Sequence, residues 1–582
     1  MIMMMAAATE KCFLLLLSLL VLLVTVTECN PVADSIKCSR RTTNCKITNI
    51  YGAFPDRTMC RAQEVVYPTS EAELVTAVTS GLRSKQKMKV ATRYSNSIPK
   101  LSCTDGDDGL LISTKFLNRI LSKNSTDNTI TVEGGARMKE VINAASEMGL
   151  AVPHSTFWWG VTIAGLISTG SHGSSLYDKG GALHEYVESI RMVTPGPDGA
   201  VIRQLNSSGS ELDAAKISLG VLGVISQVTL KLQPNFKRSI TIETKIDSNI
   251  ASEVVGFGKK HEFATIYWYP HHRLVDYFVD DRVNLSIQGN GRFDYIGFRP
   301  IPRFVSETTR FNEARIERYT IPAEKCVTSD SVRVSITSAA YGLTNDGNTF
   351  TRFPVIGFHN KMESSGSCMD GPRNALFTTC AWDPRINGLF AHELSVSISL
   401  FKAEDFIKDV QKLRDISPEP FCGLELYTGI LLRYVKASTA YLGEKEDVMK
   451  LDMTYYRSKD PMKPTLNQHV FDEIEQMALI KYNGLPHWGK NKNLAFDGVI
   501  KKYERSPQFF KVKDEFDPEG LFSSEWTDQV LGIKGRTSIF RPGCALDGLC
   551  ICSQDSHCAP EKGYFCRPGK VYKDARVCHR SF

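Results

Sequence analysis

The stretch Ala151-Val-Pro-His-Ser-Thr-Phe-Trp-Trp-Gly-Val-Thr-Ile-Ala-Gly-Leu-Ile-Ser-Thr-Gly-Ser-His-Gly173 decides how this chain is read. Small residues (Ala164, Gly165, Ser168, Thr169, Gly170, Ser171, Gly173) alternate there with apolar ones, so the backbone can approach something flat and large. Its amides and hydroxyls can donate to phosphate or to ring carbonyls. Composition alone would equally allow a glycine-rich helix-packing segment, so the surroundings have to decide.

Upstream, a strand and helix alternation begins near Val65. Ser70 and Glu73 have the spacing of a capping box, and the apolar positions then predict a helix over Glu71 to Leu82. Strands are expected at Met88–Thr92, Gly109–Ser113 and Thr129–Glu133, with a polar loop from Arg93 to Lys100. A helix from Met138 to Met148 ends at Gly149. With Val221-Leu-Gly-Val-Ile225 this makes a mixed α/β module reaching about Pro234. Downstream, alternating strands such as Ser239–Thr244 and His392–Leu400 are interrupted by helices at Ala403–Leu413 and Asn467–Ile480, which suggests an α+β cap on an antiparallel sheet.

The chain has 582 residues, 42% hydrophobic and 23% charged, which are globular proportions with room for several domains. Lys+Arg 70 against Asp+Glu 64 leaves +6, and no basic run appears, so a dedicated nucleic-acid binder is excluded. The apolar run from Cys12 to Val26 follows Lys11 and falls short of a membrane span, which reads as a signal peptide over residues 1–29. No later stretch reaches spanning length. The expectation is a protein of the secretory pathway, destined for the extracellular space, the apoplast or the vacuole. Two of the sixteen cysteines fall in that leader, and the remaining even number suits disulfides. Six of them (Cys544, Cys550, Cys552, Cys558, Cys566, Cys578) crowd a polar tail too short for a core of its own, so three disulfides, in a pairing the sequence does not choose, are expected rather than a zinc site. Asn124, Asn206 and Asn284 head glycosylation triplets.

Several standard sites are missing: no Gly-x-Gly-x-x-Gly follows a strand, and there is no phosphate-binding P-loop, nucleophile elbow or His-Glu-x-x-His pair. What is present is Val132-Glu-Gly-Gly-Ala136, Thr162-Ile-Ala-Gly165, Thr169-Gly-Ser-His-Gly173 and Gly220-Val-Leu-Gly-Val-Ile225. Together these resemble the FAD-binding module of the vanillyl-alcohol-oxidase type. Cys103-Thr-Asp-Gly106 and His487-Trp-Gly-Lys490 further resemble the aldonolactone oxidoreductases, plant L-gulonolactone oxidases among them, over about Val65 to Gly532.

The resemblance implies an α+β fold with a two-subdomain FAD-binding module at 62–234 and a substrate-binding cap with a large antiparallel sheet at 235–477. A return segment at 478–537 carries the His-Trp-Gly-Lys motif and a helix near Phe496–Tyr503, and the Cys-rich tail at 538–582 is expected to fold separately. FAD would be held by Gly134, Pro153, Thr162, Ala164 and Gly165, by Thr169, Ser171, His172 and Gly173, and by Val224 and Ile225. The loop Arg93-Tyr94-Ser95-Asn96-Ser97 and Lys490 would complete its site. Arg433 and Lys490 match cationic catalytic positions, and His487 would bond a sugar hydroxyl or take its proton. The reaction implied is oxidation of an aldonolactone, L-gulono-1,4-lactone, at C2 to give ascorbate, with oxygen or another electron acceptor. Two departures stand out. Leu431 occupies the place of a carboxylate two residues before Arg433, with Glu425 as a candidate substitute. Asn96 stands where relatives attach the flavin through histidine, so the FAD is expected to be non-covalent. The competing readings are a carbohydrate or alditol oxidase on the same scaffold and a non-catalytic secreted glycoprotein.

Overall fold

The computed structural model describes residues 36–47, 57, 59–91, 98–362, 378–379 and 391–580. The expected leader and the loop Arg93–Ser97 lie outside the described residues, as does the side chain of Glu425.

The first sheet joins β1 (Ile36–Arg40), β2 (Thr43–Ile47), β3 (Cys60–Val66), β4 (Met88–Ala91) and β5 (Leu110–Ser113) in the order β1-β2-β3-β5-β4. β5 pairs parallel with both β3 and β4, and α1 (Glu71–Arg83) makes the crossover between those two. Ser70 caps α1 by accepting from the Glu73 amide at 3.2 Å. The Glu73 carboxylate, however, accepts from the Thr69 amide at 2.8 Å, so the capping box closes one residue early. Leu74 and Val78 of α1 are buried against Met88 and Ile112.

β6 (Ile120–Asn124), β7 (Thr129–Glu133), β8 (Val187–Gly196), β9 (Gly199–Asn206) and β10 (Val224–Lys231) form the second sheet, antiparallel, in the order β9-β8-β10-β7-β6. α2 (Met138–Glu147) and α3 (Ile163–Ser168) bury Val141, Ile142, Ile163 and Ile167 in one core with Val132, Ile190 and Val228.

The cap is built on β11 (Lys237–Ile246), β12 (Thr265–Tyr269), β13 (Leu274–Val283), β14 (Val355–Phe358), β15 (Ala391–Ser399), β16 (Ile430–Val435), β17 (Val448–Tyr456) and β18 (Leu485–Pro486). These eight strands run in the order β14-β11-β13-β12-β16-β17-β15-β18. Every neighbouring pair is antiparallel, and the pleat sorts side chains to two faces. Ile266, Trp268, Val396, Leu432, Tyr434 and Leu451 form the outer face, in one core with residues of α4 (Ile250–Lys260), α7 (Leu400–Ile416) and α8 (Gln468–Gln476). Two helices the sequence pattern did not announce, α5 (Arg303–Tyr319) and α6 (Pro322–Ser338), lie between β13 and β14. The inner face carries Tyr267, Leu431, Arg433, Lys450 and Asp452 and is turned to the FAD-binding module, where Ser174 Oγ accepts from the Tyr434 amide at 2.9 Å.

After the cap the chain returns to that module. Trp488, Phe496, Tyr503 and Trp526 join its core, with Phe509 and Phe516 of α9 (Ser506–Phe516). A helix expected over Phe496–Tyr503 is instead two 3-10 turns, Asn493–Phe496 and Val499–Lys502, divided by Gly498 at φ +69°. Likewise the expected helix to Ile480 stops at Gln476 and continues as a π turn, Met477–Lys481.

The six tail cysteines pair as Cys544–Cys550, Cys552–Cys566 and Cys558–Cys578. Among the described residues, three further disulfides, Cys38–Cys45, Cys60–Cys103 and Cys326–Cys422, lie elsewhere. The tail does not stand apart. Glu473 of α8 accepts from the amides of Lys570, Val571 and Tyr572 at 2.8, 2.6 and 2.9 Å. Asp547 accepts from Arg57 and Arg457, each at 2.8 Å. Gly548 packs on the buried Lys492, where a Cβ would come within 2.1 Å of the lysine side chain. Truncation after Thr537 is therefore expected to lower the unfolding temperature and to reduce turnover. A truncated protein that melts with the full chain and keeps its activity would restore the reading of the tail as a separable unit.

Candidate active site

Register across the inner face sets the site. Asp452 of β17 pairs with Leu431 of β16, which pairs with Tyr267 of β12; one step along, Lys450 pairs with Arg433 and Arg433 with Thr265. Arg433 donates from Nη2 and Nε to Asp452 Oδ2 at 2.5 and 3.1 Å. Lys490 Nζ, on the return segment, donates to Asp452 Oδ1 at 3.1 Å. Burial works against the charge of Asp452, but Arg433 and then Lys490 outweigh it and hold the carboxyl well below the usual range. Lys450 is separately neutralised by Glu444 at 2.6 Å. The cluster of Arg433, Lys490 and Asp452 thus carries one net positive charge.

Two histidines lie beside the cluster. Arg433 Nη1 donates to the His172 carbonyl at 3.4 Å, and the His172 and His487 rings lie 5.5 Å apart. His172 Nδ1 is 2.8 Å from the Gly173 carbonyl, an acceptor, so Nδ1 carries the proton and Nε2 presents a lone pair. That Nε2 is buried with no partner among the described residues. His487 has the opposite tautomer: Nδ1 accepts from the Gly489 amide at 3.0 Å, which leaves Nε2–H as a donor. Burial, assisted by the charges of Arg433 and Lys450 at His172 and of Lys450 and Lys490 at His487, lowers both imidazoles well below their ordinary value, so both are neutral.

The glycine-rich stretch lines two cavities beside the cluster, through Thr169 and His172 in one with His487 and through Gly173 in another with Arg433. Ala164 donates its amide to the Gly134 carbonyl at 2.9 Å, and a Cβ on Gly134 would come within 2.4 Å of the Ile225 carbonyl and 3.1 Å of Ala164. Thr169 Oγ1 donates to the Gly165 carbonyl at 3.0 Å and lies 3.1 Å from Ser171 Oγ. A Cβ on Gly173 would meet the Ser155 carbonyl at 2.5 Å, so this backbone layer has no room for side chains. Thr162 Oγ1 is a buried hydroxyl with no partner among the described residues. Pro153 is buried beside His154, whose ring packs on Phe263 at 5.1 Å. Val224 points elsewhere: its side chain is in the core with Leu74 and Val193, so only its backbone is available to a ligand. Arg93, Tyr94, Ser95, Asn96 and Ser97 lie outside the described residues.

These features fit FAD. Close-packed glycine and alanine backbone offers a flat wall, the orphaned Thr162 hydroxyl offers a hydrogen bond, and the net positive cluster suits the charge that collects at a reduced flavin. Asp452 and Tyr267 were not foreseen from sequence. A Lys and an Asp two apart within Val448-Met-Lys-Leu-Asp-Met-Thr-Tyr-Tyr456, an otherwise mostly apolar strand, were the available signal for the first. Removing one partner of a buried pair costs about 3–5 kcal/mol, so Asp452→Asn should lower the unfolding free energy by about that amount in a denaturant titration. A change below about 1 kcal/mol would show that Asp452 is a weakly held surface-type pair instead.

Residues 62–204 match the FAD binding domain model and residues 390–530 the D-arabinono-1,4-lactone oxidase model, while 541–580 match the C-terminal domain of L-gulonolactone oxidase 2-like proteins. The chain is 54% identical over 553 residues to L-gulonolactone oxidase 5 of Arabidopsis thaliana and 53% identical over 555 residues to L-gulonolactone oxidase 2 of the same plant, covering 94% of both chains in each case. Among solved structures, a solvent-stable cholesterol oxidase superposes with a TM-score of 0.64 at 14% identity, covering 85% of this chain and 98% of its own, which establishes the fold. The chain belongs to the L-gulonolactone oxidase family of FAD-dependent oxidoreductases.

Proposed function

We propose that the protein oxidises L-gulono-1,4-lactone at C2, giving the 2-keto lactone that enolises to ascorbate. The carrying observation is the joining of Arg433, Lys490 and Asp452 beside two neutral histidines of opposite tautomer. FAD, when bound, supplies the two-electron acceptor for the C2 hydride. His172 Nε2 is the chain's available lone pair for the C2 hydroxyl proton, because His487 Nδ1 is already occupied and its Nε2–H donates. Arg433 and Lys490 supply positive charge where negative charge develops, in a preorganised arrangement that needs no reorientation during reaction. Trp488 is a structural member of the motif: its Nε1 donates to the Leu442 carbonyl at 2.8 Å and its ring stacks on Tyr503. Oxygen, giving hydrogen peroxide, or another acceptor would take up the two electrons and close the balance of the reaction. Leu431 favours a second reading, a carbohydrate or alditol oxidase, because it removes a carboxylate from the sheet face.

The deciding measurement is an absorption spectrum of the purified holoprotein. Flavin bands that bleach with L-gulono-1,4-lactone and persist with xylitol support the lactone reading; bleaching with xylitol alone reverses it.

The FAD is held non-covalently in this reading, since the carboxamide of Asn96 is far less nucleophilic than an imidazole. Acid precipitation should leave a yellow supernatant and a non-fluorescent protein band; a fluorescent denatured band would show covalent attachment. Secretion with cleavage near residue 29 and glycosylation at Asn124, Asn206 and Asn284 belong to the same proposal. The disulfides support an oxidising compartment, and no helix among the described residues is long and apolar enough to cross a membrane.

A further inference from the structure

Tyr267 is anomalous on the inner face of the cap. Its side chain is 1% exposed, and its hydroxyl has no hydrogen-bond partner among the described residues. Its neighbours are all engaged. Tyr269 and Tyr341 share a hydrogen bond of 2.7 Å, Tyr341 donates onward to Asp276, and Thr244 donates to the same carboxylate at 2.5 Å. Tyr434, on the opposite face, donates to the Val254 carbonyl at 2.6 Å. A buried hydroxyl left unpaired costs about 1–3 kcal/mol, so its persistence points to a bound partner.

Its surroundings define that partner. Tyr267 and Arg433 line one cavity of about 60 Å³, with Phe157, Phe278 and Phe293 as walls and the Arg238–Asp280 ion pair at its border. At roughly 10–15 Å³ for each water-sized probe, that volume holds a few non-hydrogen atoms and no second sugar ring. The Tyr267 hydroxyl is close enough to Arg433 and Asp452 to sense their charge, and burial raises the phenol well above its ordinary value, so it is a neutral donor. Across the strands the row reads Asp452, Leu431, Tyr267. Two strand spacings, about 10 Å, separate its polar ends. An apolar floor between a charged end and a neutral hydroxyl suits a small polyhydroxylated ring lying with its C–H face on Leu431.

We propose that Tyr267 is a specificity-determining residue whose hydroxyl binds the hydroxylated side chain of the lactone, with Leu431 as the floor and Arg433 at the ring end. The assignment rests on the aldonolactone reading above. Tyr267→Phe keeps the ring packing against Phe278 and Tyr341, both at 5.0 Å between centroids. The test compares the wild-type and Tyr267→Phe holoenzymes on L-gulono-1,4-lactone and on a shorter aldonolactone lacking the terminal hydroxymethyl group. Loss of one neutral hydrogen bond predicts a drop of about tenfold in kcat/KM on the longer lactone, mostly in KM, and of less than about twofold on the shorter one. Flavin content should be unchanged.

An equal loss on both lactones, or none on either, overturns the assignment. A wild-type holoenzyme whose flavin is reduced by no aldonolactone overturns the substrate reading and this subsite with it, so the two failures are told apart. Should the variant not fold, the wild-type enzyme still decides: a preference of about tenfold for the longer lactone is expected, and no preference overturns the subsite.

Discussion

The site depends on one carboxylate. Asp452 holds Arg433 from the neighbouring strand and Lys490 from the return segment, three residues that reach the same point from separate parts of the chain. Burying Arg433 and Asp452 is costly, and the arrangement persists because each oxygen of Asp452 has a charged donor. The consequence is mechanical as well as electrostatic. The return segment cannot shift against the cap sheet without breaking the Lys490 contact, and Arg433 also reaches the His172 carbonyl of the FAD-binding module. Cap, module and return segment are thereby fixed around one net positive charge.

A buried lysine extends this bracing outward. Two residues after Lys490, Lys492 is tied to Asp472 and Glu475 of α8 at 2.7 and 2.5 Å. Burial raises Glu475 to about 7 even with Lys492 beside it, while the two acids hold Lys492 well above its ordinary value. Alternate lysines on one short segment thus point to two different anionic anchors. The tail closes over the second of them through Gly548, and Glu473 on the same helix gathers three tail amides. The disulfide-rich tail braces the loop that carries Lys490 from behind.

What was legible in the sequence follows from how local each signal is. Thr129–Glu133 and Met138 to Met148 were visible because period and terminators lie within the segment, and the structure places their elements at Thr129–Glu133 and Met138–Glu147. The small-residue stretch was visible for the same reason. Phe496–Tyr503 misled because its apolar residues serve the core from 3-10 turns, and Gly498 breaks the helix that their spacing suggested. Asp452 could not be read from spacing, since its partners are 19 and 38 positions away and meet it only through strand register. Tyr267 was hidden more thoroughly, as a tyrosine in an aromatic strand differs from its neighbours only in lacking a partner once folded.

The register also clarifies what Leu431 means. The carboxylate absent from Leu431 is present on its cross-strand partner, so the same row of the same face still carries one. Its chemistry is nonetheless different. Three charge-assisted bonds already occupy Asp452, and with Arg433 and Lys490 holding it ionised it has little capacity left to accept from substrate hydroxyls. In the proposed reaction, recognition of those hydroxyls falls to neutral groups: the Nε2 lone pair of His172, the Nε2–H of His487 and the phenol of Tyr267. A site that reads hydroxyls through neutral partners discriminates by shape and by individual hydrogen bonds, whereas its charged cluster is left to serve the flavin and the reacting carbon.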